Sequence, residues 1–311
     1  MNGTARPPRP TPRNTPRASP MSAPDQPAPT GLSALRQRID DIDAEVHRLL
    51  IARSEIIDQL ISVKRTGEPG AAFRPAREAS MMHALVERHR GHLPLVTVEH
   101  VWREVISTFT WLQAPYTVHV ATGDAAETRD MARFYFGFTV PFETVAEPAD
   151  AVAAVARSTS DLAVVRLGEA DTAWWAALSA DGAAPRVIGR LPFIAVADRP
   201  VAIPAVVVSP PLKDPVKPEV AVFACRGPAD ASAHAWLRKR GVEVIAWHAP
   251  WGHHTGAVGA ELVIAVPLDD QDESTAAEAT AERARDAGII LADLRPVGGY
   301  AAPIEARPQR P

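Results

Sequence analysis

A single cysteine, Cys225, occurs in 311 residues, so no disulfide can form within the chain, and the composition suits a reducing cytoplasm. No apolar run approaches the ~18 residues needed to cross a bilayer, which predicts a soluble protein without a helical membrane span. Excess positive charge is missing too. The formal charge is -4, so the composition favours neither nucleic acid nor an anionic membrane surface. An acidic ligand must therefore be held by locally placed cations. The hydrophobic fraction of 46% and the charged fraction of 23% are ordinary for a globular chain, and the length admits two modest domains.

Residues 1–29 hold nine prolines between Pro7 and Pro29, with Arg6, Arg9, Arg13 and Arg17 among them. Proline forbids helix, and almost nothing apolar is present to bury, so this stretch reads as a disordered tail. The same prolines spoil the amphipathic helix that an organelle transit peptide needs.

From Leu32 the pattern changes. Leu32, Leu35, Ile39, Ile42, Val46, Leu49, Ile56, Leu60 and Val63 alternate in steps of three and four, the spacing of one helix face. Thr30 or Ser33 can cap the start, and Gly67, Pro69 and Gly70 stop the helix. At ~1.5 Å per residue it is on the order of 50 Å long, and a helix of that length with such a repeat needs a partner along it. Between Leu49 and Ile56 the repeat calls for an apolar residue and Arg53 stands there instead. A guanidinium in an apolar seam is a register-setting or snorkelling side chain, or it has an anionic partner. A second helix is predicted over Ala76–Arg90. A third, Val96–Gln113, has Val98, Val101, Trp102, Val105, Ile106, Phe109 and Leu112 as its apolar face.

The strings LSALRQRIDDIDAEVHRLLIARSEIIDQLISVKR, FRPARE and WREVISTFTWLQ together resemble the all-helical chorismate mutase family. The resemblance covers residues 30–114 and rests on Arg36, Asp43, Arg53, Lys64, Arg77, Glu78 and Gln113 occurring in order. It implies conversion of chorismate to prephenate without cofactor or metal, in phenylalanine and tyrosine biosynthesis. It implies that Arg36 and Arg53 grip the substrate carboxylates, with Arg77 supporting that end. Lys64 and Gln113 then donate to the ether oxygen, and Glu78 accepts from the ring hydroxyl. Such chemistry needs only a held conformer and stabilised charge, and guanidinium forks suit carboxylates.

Helix arithmetic constrains this assignment. Arg36 and Arg53 are seventeen positions apart, on the order of 25 Å along a helix. One small ligand cannot touch both from one straight helix. If both bind it, Arg36 comes from a second chain, as in the intertwined homodimer of the resembled family. Two positions depart from the family pattern: Arg74 stands where an acid is common, and Phe109 where a small hydroxyl residue is common. A catalytically weak dimerising or partner-activating module is the competing reading.

Beyond Ala114, short β-rich runs alternate with helical ones, so the all-α module is followed by an α/β (α+β) region. Over residues 115–217, RFYFG followed by DLAVVRL faintly resembles part of a prephenate dehydratase domain. The Thr-Arg-Phe triplet of that family is absent, which implies a degenerate relative without dehydratase activity and disfavours a bifunctional mutase–dehydratase. Residues 218–311 predict the order βαββαβ, as in ACT-like, ferredoxin-type small-molecule sensors. Such a sensor implies an aromatic amino acid effector. His248, His253 and His254 lack an acid or cysteine to complete a metal set. Trp174 and Trp175 are expected to pack a core or an interface within an alanine-rich helix. Gly298-Gly299 has no phosphate-loop context.

Overall fold

The computed structural model describes residues 31–64, 73–121, 126–197, 199–213, 217–250 and 259–306. The proline-rich tail, the Gly67–Gly70 helix stop, and His253 and His254 lie outside the described residues. The chain divides between Glu55 and Ile56 into two units.

Three helices come first: α1 (Leu32–Lys64), α2 (Pro75–Arg88) and α3 (Leu95–Gln113). Pro75 opens α2 at a position where its missing N–H is not needed, and Pro94 immediately precedes α3. Along α1 the predicted apolar seam is bare: Leu32, Ile39, Ile42 and Val46 are 65%, 56%, 59% and 51% exposed. In the single chain these large aliphatic side chains are left in contact with water.

The remainder is α/β. Its first half comprises β1 (Val118–Ala121), α4 (Ala126–Phe136), β2 (Phe142–Val145), α5 (Pro148–Ala156), β3 (Leu162–Arg166) and β4 (Gly168–Glu169). A single 3₁₀ turn, Trp174–Ala177, then leads to β5 (Arg186–Leu191), β6 (Ile194–Ala195) and β7 (Ala205–Ser209). The second half runs β8 (Val220–Gly227), α6 (Ala231–Arg238), β9 (Glu243–His248), β10 (Ala260–Pro267), α7 (Glu273–Asp286), β11 (Ala292–Tyr300) and β12 (Ile304–Glu305). Strands such as LAVVR and AVVVS are β-branched and buried on both faces, which places them inside a sheet rather than at its edge. Asp230 and Asp272 cap α6 and α7, each carboxylate accepting a backbone N–H at 2.8 Å.

Among the described residues, ten strands join in one sheet, ordered β2-β1-β3-β7-β5-β11-β8-β10-β9-β4. The run β11-β8-β10-β9 is antiparallel throughout. In βαββαβ numbering this is the order 4-1-3-2 of a ferredoxin-type sheet. It is not a separate body: β11 also pairs with β5, through Gly298 and Val187. Gly298 has φ +133°, and a Cβ there would sit 2.2 Å from the Val187 carbonyl oxygen. The glycine pair noted in the sequence therefore seals the joint between the two halves of the sheet. One apolar core runs across that joint, containing Val187, Val206 and Val208 together with Val222, Val263 and Val297. Trp174 and Trp175 belong to it, their rings edge to face at 5.4 Å.

The structure corrects the predicted face of α3. Val101 and Leu112 are about half exposed, whereas Glu99 and Arg103 are buried with Val98, Ile106, Ser107 and Thr110. The physical reason is that their partners are remote in sequence. Arg103 meets Glu78, and Glu99 meets Arg199, so local periodicity gives no sign that these charges turn inward. Helices α2 and α3 share an apolar cluster with Phe193 and Ile194, which anchors them on the α/β region.

Candidate active site

The six predicted site residues are distributed as follows. Arg36 lies on α1, exposed, and Arg53 lies on the same helix, half-buried. Lys64 is the last residue of α1, and its side chain lies outside the described residues. Arg77 and Glu78 are neighbours in the first turn of α2, and Gln113 ends α3.

Being adjacent on a helix, Arg77 and Glu78 point about 100° apart, and the structure uses both directions. Arg77 is exposed and lines an open cavity of about 590 Å³. Glu78 turns inward, where its Oε2 accepts from Arg103 Nη1 at 3.3 Å. The carboxyl is largely removed from water, and that burial pushes its pKa up to about 7, with the Arg103 charge pulling the other way. Gln113 Nε2 donates to the Phe109 carbonyl at 2.8 Å, so the amide closes its own helix end in the single chain.

Around Glu78 lies a buried polar cluster that the sequence reading missed. The Arg103 guanidinium stacks 3.8 Å from the centre of the Tyr135 ring, and Phe193 lies on another side at 5.8 Å. Glu99 accepts from Arg199 Nη2, which also donates to the Ile194 carbonyl at 2.7 Å. Burial raises the Glu99 carboxyl against the opposing pull of Arg199 and Arg103. Two carboxylates and two guanidinium groups thus hold one another out of water, with π faces covering the cations. Glu99 and Arg103 sit four apart on α3, a spacing that marks a shared helix face. A charged pair at that spacing reads by default as a solvated surface pair.

The cavity beside Glu78, lined also by Tyr135, Phe193 and Arg190, has a volume of only about 30 Å³. That is room for about one water and not for a ring. Within the 56–311 unit, then, Arg77 and Glu78 stand together at the start of α2 but do not enclose a substrate-sized cleft between them. Arg74 precedes α2 as its N-cap without a side-chain capping bond, and Phe109 lies half-buried on α3.

Residues 35–114 match the profile of the family described as chorismate mutase type II. The bifunctional chorismate mutase/prephenate dehydratase of Neisseria gonorrhoeae is 32% identical over 102 residues, covering 33% of this chain and 27% of the relative. The protein of the same description from Pseudomonas aeruginosa is 29% identical over 113 residues, covering 35% and 31%. The chain therefore covers under a third of either relative. Among solved structures, a prephenate dehydratase from Streptococcus mutans aligns with 60% of this chain and 99% of its own at 11% identity. Its TM-score is 0.34, too low to define the fold.

Proposed function

From the chorismate mutase type II segment at residues 35–114, we propose that the chain converts chorismate to prephenate by a cofactor-free sigmatropic rearrangement. The observation that carries this reading is that Arg36, Arg53, Lys64, Arg77, Glu78 and Gln113 all fall within the matched segment. They also lie on three helices, and the ends of α2 and α3 fall within two residues of the predicted ones. In this reading the guanidinium groups of Arg36 and Arg53 clamp the two carboxylates in a compact conformer. Lys64 and Gln113 donate to the ether oxygen as its bond to carbon lengthens and negative charge gathers there. Gln113 must then leave the Phe109 carbonyl, and Glu78 must turn from Arg103 toward the substrate hydroxyl.

The bare seam of α1 supports a homodimer with sites shared between chains. Its partner-seeking apolar row runs beside Arg36 and Arg53, so the helix of a second chain would bring further cations to each site. An aromatic amino acid bound by the ferredoxin-type half is the effector this reading expects. The direct test is loss of chorismate absorbance on adding the purified chain. A rate far above the spontaneous one supports the reading, and unchanged chorismate removes it. The competing reading, a weak dimerising or activating module, draws on the Glu78–Arg103 pair, which occupies a proposed catalytic carboxylate. It predicts no turnover alone and acceleration of a separate enzyme of the same biosynthetic route.

A further inference from the structure

The cavity that Arg77 lines adjoins the small one beside Glu78, the two sharing Pro75, Ala79, Ile188 and Tyr300 in their walls. It measures about 590 Å³ and lies within the 56–311 unit. Its walls come from three places distant in sequence. Helix α2 supplies Arg77, Ser80 and His83, with Arg74 just before it; the segment before β8 supplies Lys217 and Glu219; and β5 and β11 supply Ile188 and Tyr300. Two permanent cations from distant segments, Arg77 and Lys217, thus share this wall with one carboxylate, Glu219.

That one carboxylate is already engaged. Glu219 Oε2 accepts from the Ala302 N–H at 2.7 Å. Lys217 Nζ donates to the Asp270 carbonyl at 3.1 Å, a neutral acceptor that fixes the ammonium without cancelling its charge. Arg74 as N-cap gives the first turn of α2 no side-chain acceptor. The positive end of the helix therefore adds to the same field. The floor is different in kind: Ile188, Leu212, Pro218, Ala79 and the Tyr300 ring are apolar surface. A concave site with convergent cations over an apolar floor selects a molecule with an anionic head and a compact hydrophobic body.

We propose that this cavity binds a small amphiphilic carboxylate, its head on Arg77 and Lys217 and its ring or alkyl body on Ile188, Leu212 and Tyr300. The site stands whether or not the mutase reading does, because Lys217, Ile188, Leu212 and Tyr300 lie outside the matched segment. A ligand there bridges the first turn of α2 and the β5–β11 joint. It also draws on Arg77, so an occupant changes the residue next to Glu78.

The test is calorimetric titration of the full chain with 3-phenylpropionate, its neutral counterpart 3-phenylpropanol, and inorganic sulfate. The expected result is saturable binding of one 3-phenylpropionate per chain, weakened at least tenfold by Lys217→Glu and abolished by Ser80→Trp, which fills the space. The alcohol and sulfate should each bind at least tenfold more weakly. Lys217 is exposed, and circular dichroism of each variant should match the parent. The proposal is overturned by the absence of saturable binding, by equal affinity for Lys217→Glu, or by an alcohol or sulfate that binds as well as the carboxylate. Chorismate turnover, measured separately with Lys217→Glu, keeps the outcome apart from that of the mutase assay.

Discussion

Arg103 Nη1 stands 3.3 Å from Glu78 Oε2, joining α3 to the first turn of α2 across a side of both helices largely shielded from water. Each charge makes the other tolerable there, and the Tyr135 ring covers the guanidinium. A proposed substrate-binding carboxylate is thus also a structural one.

Arg103→Met should destabilise the chain by about 3–5 kcal/mol, because it leaves Glu78 and part of the Glu99 charge without compensation. The double variant Arg103→Met with Glu78→Gln should recover a large part of that loss. Urea denaturation of the three variants measures the coupling, and additive effects would show that the pair does not interact.

Burial holds the Glu78 carboxyl at about 7 against an ordinary 4.5, so the folded state favours its protonated form. Its contribution to stability is full below about pH 4.5 and is lost as pH rises through about 7, an effect of about 3 kcal/mol if the whole shift acts. Glu78→Gln removes this dependence. The parent should therefore lose stability relative to Glu78→Gln between pH 5 and pH 8. An unchanged difference in urea midpoint would contradict the assignment.

Mixing inactive Arg36→Ala and Arg53→Ala chains should restore activity if each site takes Arg36 from one chain and Arg53 from the other. Random exchange makes half the dimers mixed, each with one intact site, so about a quarter of the parent rate should return. Turnover that stays at the level of the single variants would place both arginines on one chain's site or outside it.

Gly298→Ala should cost upward of about 3 kcal/mol, since its methyl meets the Val187 carbonyl at the sheet joint. Gly288 also has a positive φ, of +76°, but open space around its Cβ position. Gly288→Ala should therefore cost only the conformational strain, about 1–2 kcal/mol. Thermal melts that shift equally for both would show that the close approach is not what matters at Gly298.

The helical segment was legible because its information is local. The three-and-four spacing and the Arg53 interruption are read along α1 alone, and the run Arg77-Glu78 within the first turn of α2. The βαββαβ order was legible for the same reason, since each strand and helix carries its own periodicity. What was hidden depends on residues far apart in the chain. The buried places of Glu99 and Arg103 are such a case, because Arg199 and Glu78 give no local sign of approaching them. The pairing of β11 with β5 was equally invisible, since nothing local in Gly298-Gly299 points to Val187, more than a hundred positions earlier. The cationic cavity escaped notice because Lys217 and Arg77 are 140 positions apart.

Glu99 and Arg199 are separated by 100 residues, and that separation has a meaning in time. At about 5–20 residues per second, a ribosome delivers Arg199 roughly 5–20 s after Glu99. For that interval the side of α3 bearing Glu99 lacks its counter-charge, and the Phe193–Ile194 strip on which α2 and α3 rest has not been made. The helical segment therefore waits, half-assembled, for a later part of its own chain. A gene cut after Gln113 would release it permanently in that waiting state.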